Sequence, residues 1–227
     1  MKREYPSELK ELRKKISKAD TAIPNQRLVF KKQFSFSILP VEEQLEIWHY
    51  IWNTSGDYLP KTHASFFLET LLKKKEHLVY SWDIIKQWQD TADMWMYCDS
   101  LSKIYTKILE HNPDEIYSTL KGWNTSADPW KRRQSVVSLL YYARTKKQFL
   151  PYKKIIPLIE NLLHDEEYYV QKGVGWSLRE VYNVYPEETW NFMLKNHKHI
   201  HSIAFSAATE KLPSNRKEEL KSLRKNH

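Results

Sequence analysis

Residues 168–188 read YYVQKGVGWSLREVYNVYPEE, and this stretch decides the fold. Stepped at about 100° per residue, Val170, Val174, Leu178 and Val181 fall on one stripe, the spacing of an amphipathic α-helix. The run ends at Tyr185-Pro186-Glu187-Glu188. A proline there suits the first position of a new helix, and the two acids suit the positive end of its dipole. A helix over 168–184 followed at once by another from 186 is a helical hairpin.

The same punctuation recurs outward from this point. Asn112-Pro113 and Asp128-Pro129 each pair a capping side chain with a proline at a helix start. The pattern predicts helices over 8–19, 25–39, 41–54, 60–75, 80–90, 94–111, 113–121, 129–145, 152–164, 168–184, 186–196, 199–211 and 215–225, with Pro157 a possible true start for its segment. Only four glycines in 227 residues leave few left-handed positions for β-turns, so an all-β fold is disfavoured. Hairpins spaced by about 35–45 residues fall in the range of HEAT and armadillo repeats. The expected architecture is all-α, a HEAT-like helical-repeat solenoid (an α-α superhelix), with residues 1–227 as a single domain.

Thirty-six Lys and Arg against 28 Asp and Glu give a net charge of +8, which favours an anionic partner. Cys98 is the one cysteine, so neither a disulfide framework nor a thiolate metal site is expected. His197, His199 and His201 lie close together, but no carboxylate or cysteine nearby completes a metal set. Carboxylate pairs such as Asp90/Asp93 and Glu166/Glu167 sit in polar surroundings. No phosphate-cradling glycine loop or nucleophile elbow is present. No signal peptide and no membrane span are expected, and a cytoplasmic location follows.

Two groups of side chains face away from the predicted core, and in a third Arg133 projects with Trp130, Val137 and Leu140, so that it would reach out from a partly buried stem. On the helix from Met94, the stripe of Met94, Tyr97, Cys98, Leu101, Ile104, Tyr105 and Ile108 leaves Trp95 and Asp99 together on the other side, one turn apart. The ring has either a ligand to touch or a neighbouring repeat to pack on. On the helix from Tyr168, Lys172, Trp176 and Arg179 fall together at i, i+4 and i+7. Cations suit phosphates, and an indole offers a flat face to a sugar or base. Gly173 and Gly175 flank this face and allow either a ligand or another helix to approach closely. The third group is Trp130-Lys131-Arg132-Arg133. Three cations in a first helical turn oppose the macrodipole, so a bound anion or an acid from a neighbouring helix is expected there.

These segments resemble the HEAT-like-repeat DNA glycosylases of the bacterial DNA alkylation repair family. The resemblance lies in Trp95-Met-Tyr-Cys-Asp99-Ser-Leu, in Trp123-Asn-Thr-Ser-Ala-Asp-Pro-Trp130-Lys-Arg-Arg133-Gln-Ser-Val-Val, and in Tyr169-Val-Gln-Lys-Gly-Val-Gly-Trp176-Ser-Leu-Arg179-Glu. It covers residues 80–212, and the last stretch, a Lys-x-x-Gly-Trp-x-Leu-Arg-Glu run, is the most specific. Met96 stands where the family has an acid, and Cys98 where it has a small aliphatic.

The resemblance implies a curved solenoid with a concave basic groove, and a monomer that needs no metal or cofactor. Its activity would be hydrolysis of the N-glycosidic bond of N-alkylated purines, 3-methyladenine and 7-methylguanine, in duplex DNA without base flipping. Asp99 would be the catalytic carboxylate, with Trp95 and Trp176 against the deoxyribose. Arg133 would hold a backbone phosphate, with Lys172, Arg179 and Arg132 as further DNA contacts. The alternative is a non-catalytic relative that binds distorted or branched DNA.

Overall fold

The computed structural model describes residues 3–72, 77 and 80–225. It holds thirteen α-helices and three short 3₁₀ turns, with no strand among the described residues. Contacts divide the chain into two compact units, Met1–Asp93 and Met94–His227.

The first unit contains α1 (Pro6–Ile16), α2 (Ile23–Lys31), α3 (Val41–Thr54), α4 (Tyr58–Leu71) and the short α5 (Trp82–Ile85). Its core is unusually aromatic. Trp48, Trp52, Trp82 and Trp88 are all fully buried. The Trp52 and Trp88 rings stack at 4.9 Å, and the Trp52 Nε1–H donates to the Trp88 carbonyl at 2.8 Å. A buried indole without such an acceptor would be destabilising.

The second unit contains α6 (Trp95–His111), α7 (Pro113–Asn124), α8 (Pro129–Val137), α9 (Tyr152–Glu160), α10 (Tyr168–Val184), α11 (Pro186–Lys195), α12 (Ser202–Ala208) and α13 (Ser214–Lys225). These form four successive hairpins whose first helices begin at residues 95, 129, 168 and 202. The expected prolines start α7, α8 and α11, and Asp128 Oδ1 caps α8 by accepting from the Trp130 N–H at 2.9 Å. Hairpins are tied together by buried amides. Asn124 Nδ2 donates to Ser135 Oγ at 2.8 Å and to the Leu158 carbonyl at 3.0 Å, joining α7 to α8 and α9.

Helix α10 has the bounds its periodicity predicts, and Val170, Val174, Leu178 and Val181 are all buried. Two expectations fail for identifiable backbone reasons. The helix expected over 129–145 stops at Val137, and the chain turns at Tyr142, whose φ of 49° no right-handed helix can contain. The helix expected over 25–39 likewise stops at Lys31, ahead of Gln33 at φ 59°. Pro157 lies inside α9 and does not begin it. Residues 73–75 of the expected fourth helix fall outside the described residues. No helix among the described residues is long and apolar enough to cross a membrane.

Candidate active site

Trp95 and Asp99 stand on the first turn and a half of α6, which Met94 opens in an extended conformation. The opposite face of α6 carries Tyr97, Cys98, Leu101, Ile104, Tyr105 and Ile108, all buried. Burial of that stripe fixes the helix rotation, and the rotation leaves Trp95 44% exposed and the Asp99 side chain 30% exposed. Helix α10 is fixed in the same way by its valine stripe, so Lys172 and Trp176 point out of it on one side.

The two faces meet. Trp95, Asp99, Arg133, Tyr168, Tyr169, Lys172, Trp176 and Ala207 line one pocket of about 280 Å³. Five of these were singled out by helical phasing and by the first-turn cations of α8. Tyr168, Tyr169 and Ala207 were not. Tyr168 had a legible signal, since 168, 172 and 176 continue the same face at i, i+4 and i+8. Its ring lies under the Lys172 ammonium at 5.6 Å. Tyr169 packs on Trp130 with ring centres 5.2 Å apart.

Arg133 is the anchor of the site. Its side chain is only 8% exposed, and it reaches Asp99 through Nη2–H donating to Oδ1 at 2.8 Å. Nη1 donates to the Tyr169 carbonyl at 2.9 Å. The neighbouring acid expected as one partner for these first-turn cations is therefore Asp99 itself. Gly173 makes room for this arrangement. A Cβ built there would come within 3.1 Å of Arg133 Cγ and 3.3 Å of Nη1. Gly175 has a different task, because a Cβ there would lie 2.2 Å from the Ala204 carbonyl oxygen. It lets α10 and α12 touch backbone to backbone. Both glycines are buried and face protein, not a ligand.

Two further residues are not brought to the pocket. Arg132 donates from Nε and Nη2 to the Asp165 carboxylate, and from Nη1 to the carbonyls of Ser126 and Ala127. The Asp165 hydrogen bond raises the Arg132 pKa further above its ordinary value. Arg179 pairs with Glu210, and its guanidinium lies 5.9 Å from the Trp176 ring centre. Each guanidinium is therefore engaged within the protein. Among the described residues, no cluster of His, Cys, Asp and Glu could hold a metal ion.

A larger cavity, about 700 Å³, lies in the first unit against Tyr5, Glu46, His49, Tyr50, Asn53 and Asp90. Its lining sets Glu4, Glu46 and Asp90 against Arg3 alone, so the charge pattern favours the smaller pocket for an anionic ligand.

An all-helical hairpin-repeat unit that sets a carboxylate beside the exposed Trp95, the half-buried Trp176 and a lysine defines a class of helical-repeat protein with an aromatic, partly cationic pocket. The chain belongs to the DNA alkylation repair enzyme family, which residues 21–212 match. Solved structures with the same fold include AlkD2 from Streptococcus mutans, at 18% identity and TM-score 0.62 over 92% of this chain and 99% of that one. A predicted DNA alkylation repair enzyme from Enterococcus faecalis is similar at 15% identity and TM-score 0.67, over 94% and 99%. The smu.31 protein of Streptococcus mutans UA159 is similar at 19% identity and TM-score 0.60, over 90% and 98%. No curated protein matches the sequence.

Proposed function

We propose that the protein is a monomeric DNA glycosylase that releases N-alkylated purines, such as 3-methyladenine and 7-methylguanine, from duplex DNA by hydrolysis. One observation carries this reading: the Asp99 carboxylate shares a single open pocket with the Trp95 and Trp176 rings.

An N-alkylated purine already bears positive charge, so the bond from C1′ to the base nitrogen is weak. As that bond breaks, its electron pair neutralises the base and the sugar becomes oxocarbenium-like. Asp99 faces the developing cation as a fixed counter-charge, the kind of preorganised electrostatic stabilisation that dominates many enzymes. A water adds to C1′ and gives up its proton to Asp99 or to solvent. The two indoles flank the sugar and add cation–π attraction, about 0.5–2 kcal/mol each. Lys172 is placed to contact a phosphate.

Arg133 takes a different part from the phosphate contact that the resemblance implies. Its guanidinium is buried and bonded to Asp99 and the Tyr169 carbonyl, so it acts as a positioning residue that holds the carboxylate in one orientation. The pocket is small, which supports a reading in which the sugar is gripped while the lesion stays stacked in the duplex.

DNA binding without catalysis is the competing reading, and the same ion pair favours it by engaging one oxygen of Asp99. The two are separated by incubating the protein with a duplex containing 7-methylguanine and measuring free base. The glycosylase reading requires release by the wild type and its loss in Asp99→Asn. Absence of release, or equal release by both, sinks the catalytic assignment.

A further inference from the structure

Tyr142 sits where its side chain is costly to place. Its φ of 49° and ψ of 77° are left-handed, a region that glycine occupies freely and a bulky residue rarely. The conformation is held from several sides. Thr145 donates to the Tyr142 carbonyl through both N–H and Oγ1 at 2.8 Å. The Ala143 N–H donates at 2.9 Å to Glu180 Oε2, a buried carboxylate one helical turn beyond Trp176 on α10. Strain of this kind persists only where the surroundings over-determine it, and it concentrates at functional sites.

The core does not use the ring this strain carries. Tyr142 is 42% exposed and stands edge-on to Trp176, ring centres 5.8 Å apart at 84°. Tyr141 lies against the same indole at 5.4 Å. Arg144 then covers the Tyr142 ring, with its guanidinium carbon 5.5 Å from the centroid. Arg132, Arg133, Arg179 and Arg216 each hold a carboxylate. Arg144 is exposed and forms no ion pair among the described residues. With no carboxylate among the described residues to bind it, a guanidinium over this ring presents its N–H groups in the fork geometry that matches two phosphate oxygens.

We propose that the Tyr142–Thr145 turn is a second DNA-contacting element, in which Arg144 binds a backbone phosphate of the strand that passes Trp176. The strained tyrosine is its platform, and Glu180 locks the turn to the helix that carries Trp176. This inference rests on the duplex-DNA reading above, and its test separates the two.

Affinity for a duplex with a central tetrahydrofuran abasic analogue is measured by fluorescence anisotropy from roughly 50 to 200 mM KCl, the range over which phosphate contacts register. For Arg144→Ala we expect weaker binding and a slope of log K against log salt reduced by about 0.9, the value of one phosphate contact. Arg144→Lys keeps the charge and should keep the slope. A wild-type slope in R144A overturns the proposal, whether or not affinity falls, while leaving the DNA reading in place. Salt-independent binding by the wild type overturns both.

Discussion

Arg133 and Asp99 are joined by a 2.8 Å hydrogen bond between Nη2 and Oδ1, in an ion pair whose arginine is buried and whose acid is partly open. That asymmetry matters. The arginine cannot leave without exposing a packed stem, whereas the carboxylate keeps a face towards the pocket. Removing the guanidinium by Arg133→Ala should therefore free Asp99 to rotate. A hydrogen bond to a charged group contributes about 1.5–3 kcal/mol, so single-turnover base release should fall roughly ten- to a hundredfold. Arg133→Lys should recover only part of this, because one ammonium cannot reach both Asp99 and the Tyr169 carbonyl. Wild-type rates in both variants would show that the pair has no role in the chemistry.

The two glycines of α10 should respond in opposite ways. Alanine is the better helix former by about 0.5–1 kcal/mol, and at Gly173 this gain offsets a Cβ pressed to 3.1 Å from Arg133 Cγ and 3.2 Å from Val137 Cγ2. Gly173→Ala should melt close to the wild type yet lose activity, since Arg133 must move away from Asp99. At Gly175 the obstacle is the Ala204 backbone, which cannot yield without separating two helices. Overpacking there should destabilise by about 1–3 kcal/mol or more. Thermal melts and base release on the same two variants test the contrast.

Arg132 offers a way to tell a phosphate contact from a structural one. Its partner Asp165 has a side chain only 6% exposed, and the remaining guanidinium donors serve two loop carbonyls. Breaking a buried pair from one side costs about 3–5 kcal/mol. Arg132→Ala should lower the denaturant midpoint and leave the salt dependence of duplex binding unchanged. A reduced salt slope with an unchanged midpoint would restore Arg132 to the DNA surface.

The legible part of the site and the illegible part differ in physical kind. Trp95, Asp99, Lys172 and Trp176 could be found because each shares a helix with a strongly apolar stripe, and rotation follows from burial. The partner of Arg133 could not be named. The sequence shows three cations opposing a helix dipole, but which acid answers each depends on how hairpins stack, and Asp99 and Asp165 lie 34 and 33 residues away from their respective arginines. The Tyr142–Thr145 turn was hidden for another reason. Residues 129–145 carry an adequate helical pattern, and the turn that follows the end of α8 at Val137 is held by buried Glu180, which lies 37 residues beyond its partner Ala143.

In the first unit, His63 should make stability pH-dependent. Its Nε2 faces Gln26 Oε1 at 2.8 Å, Nδ1 has no partner, and burial among Phe30, Phe34 and Phe66 pushes its pKa down to about 4. The unfolded chain takes up this proton near pH 6.5, whereas the folded chain resists until about 4. The stability this neutral histidine allows is thus complete above pH 6.5 and is lost as pH falls towards 4. Between pH 7.5 and 5 the loss should be about 2 kcal/mol. Denaturant titrations at both pH values should show that His63→Gln flattens this difference, and an undiminished slope would assign it to other groups.

Trp95 and Trp176 should separate function from folding. Trp95 is the more exposed of the two, and the buried stripe of α6 packs without it. Trp176 packs in one cluster with Tyr141 and Tyr142, with the Arg179 guanidinium over its ring, so truncation there removes packing as well as a ligand face. Loss of a large aromatic from a packed site costs about 3–5 kcal/mol when burial is complete, and less in proportion here. Trp95→Ala should therefore keep the wild-type melting temperature while base release drops by up to about thirtyfold, the upper end of one cation–π contact. Trp176→Ala should lose both. If Trp95→Ala instead melts early and retains activity, the indole is a packing residue. The sugar-gripping role would then fall to Trp176 and the tyrosines of α10.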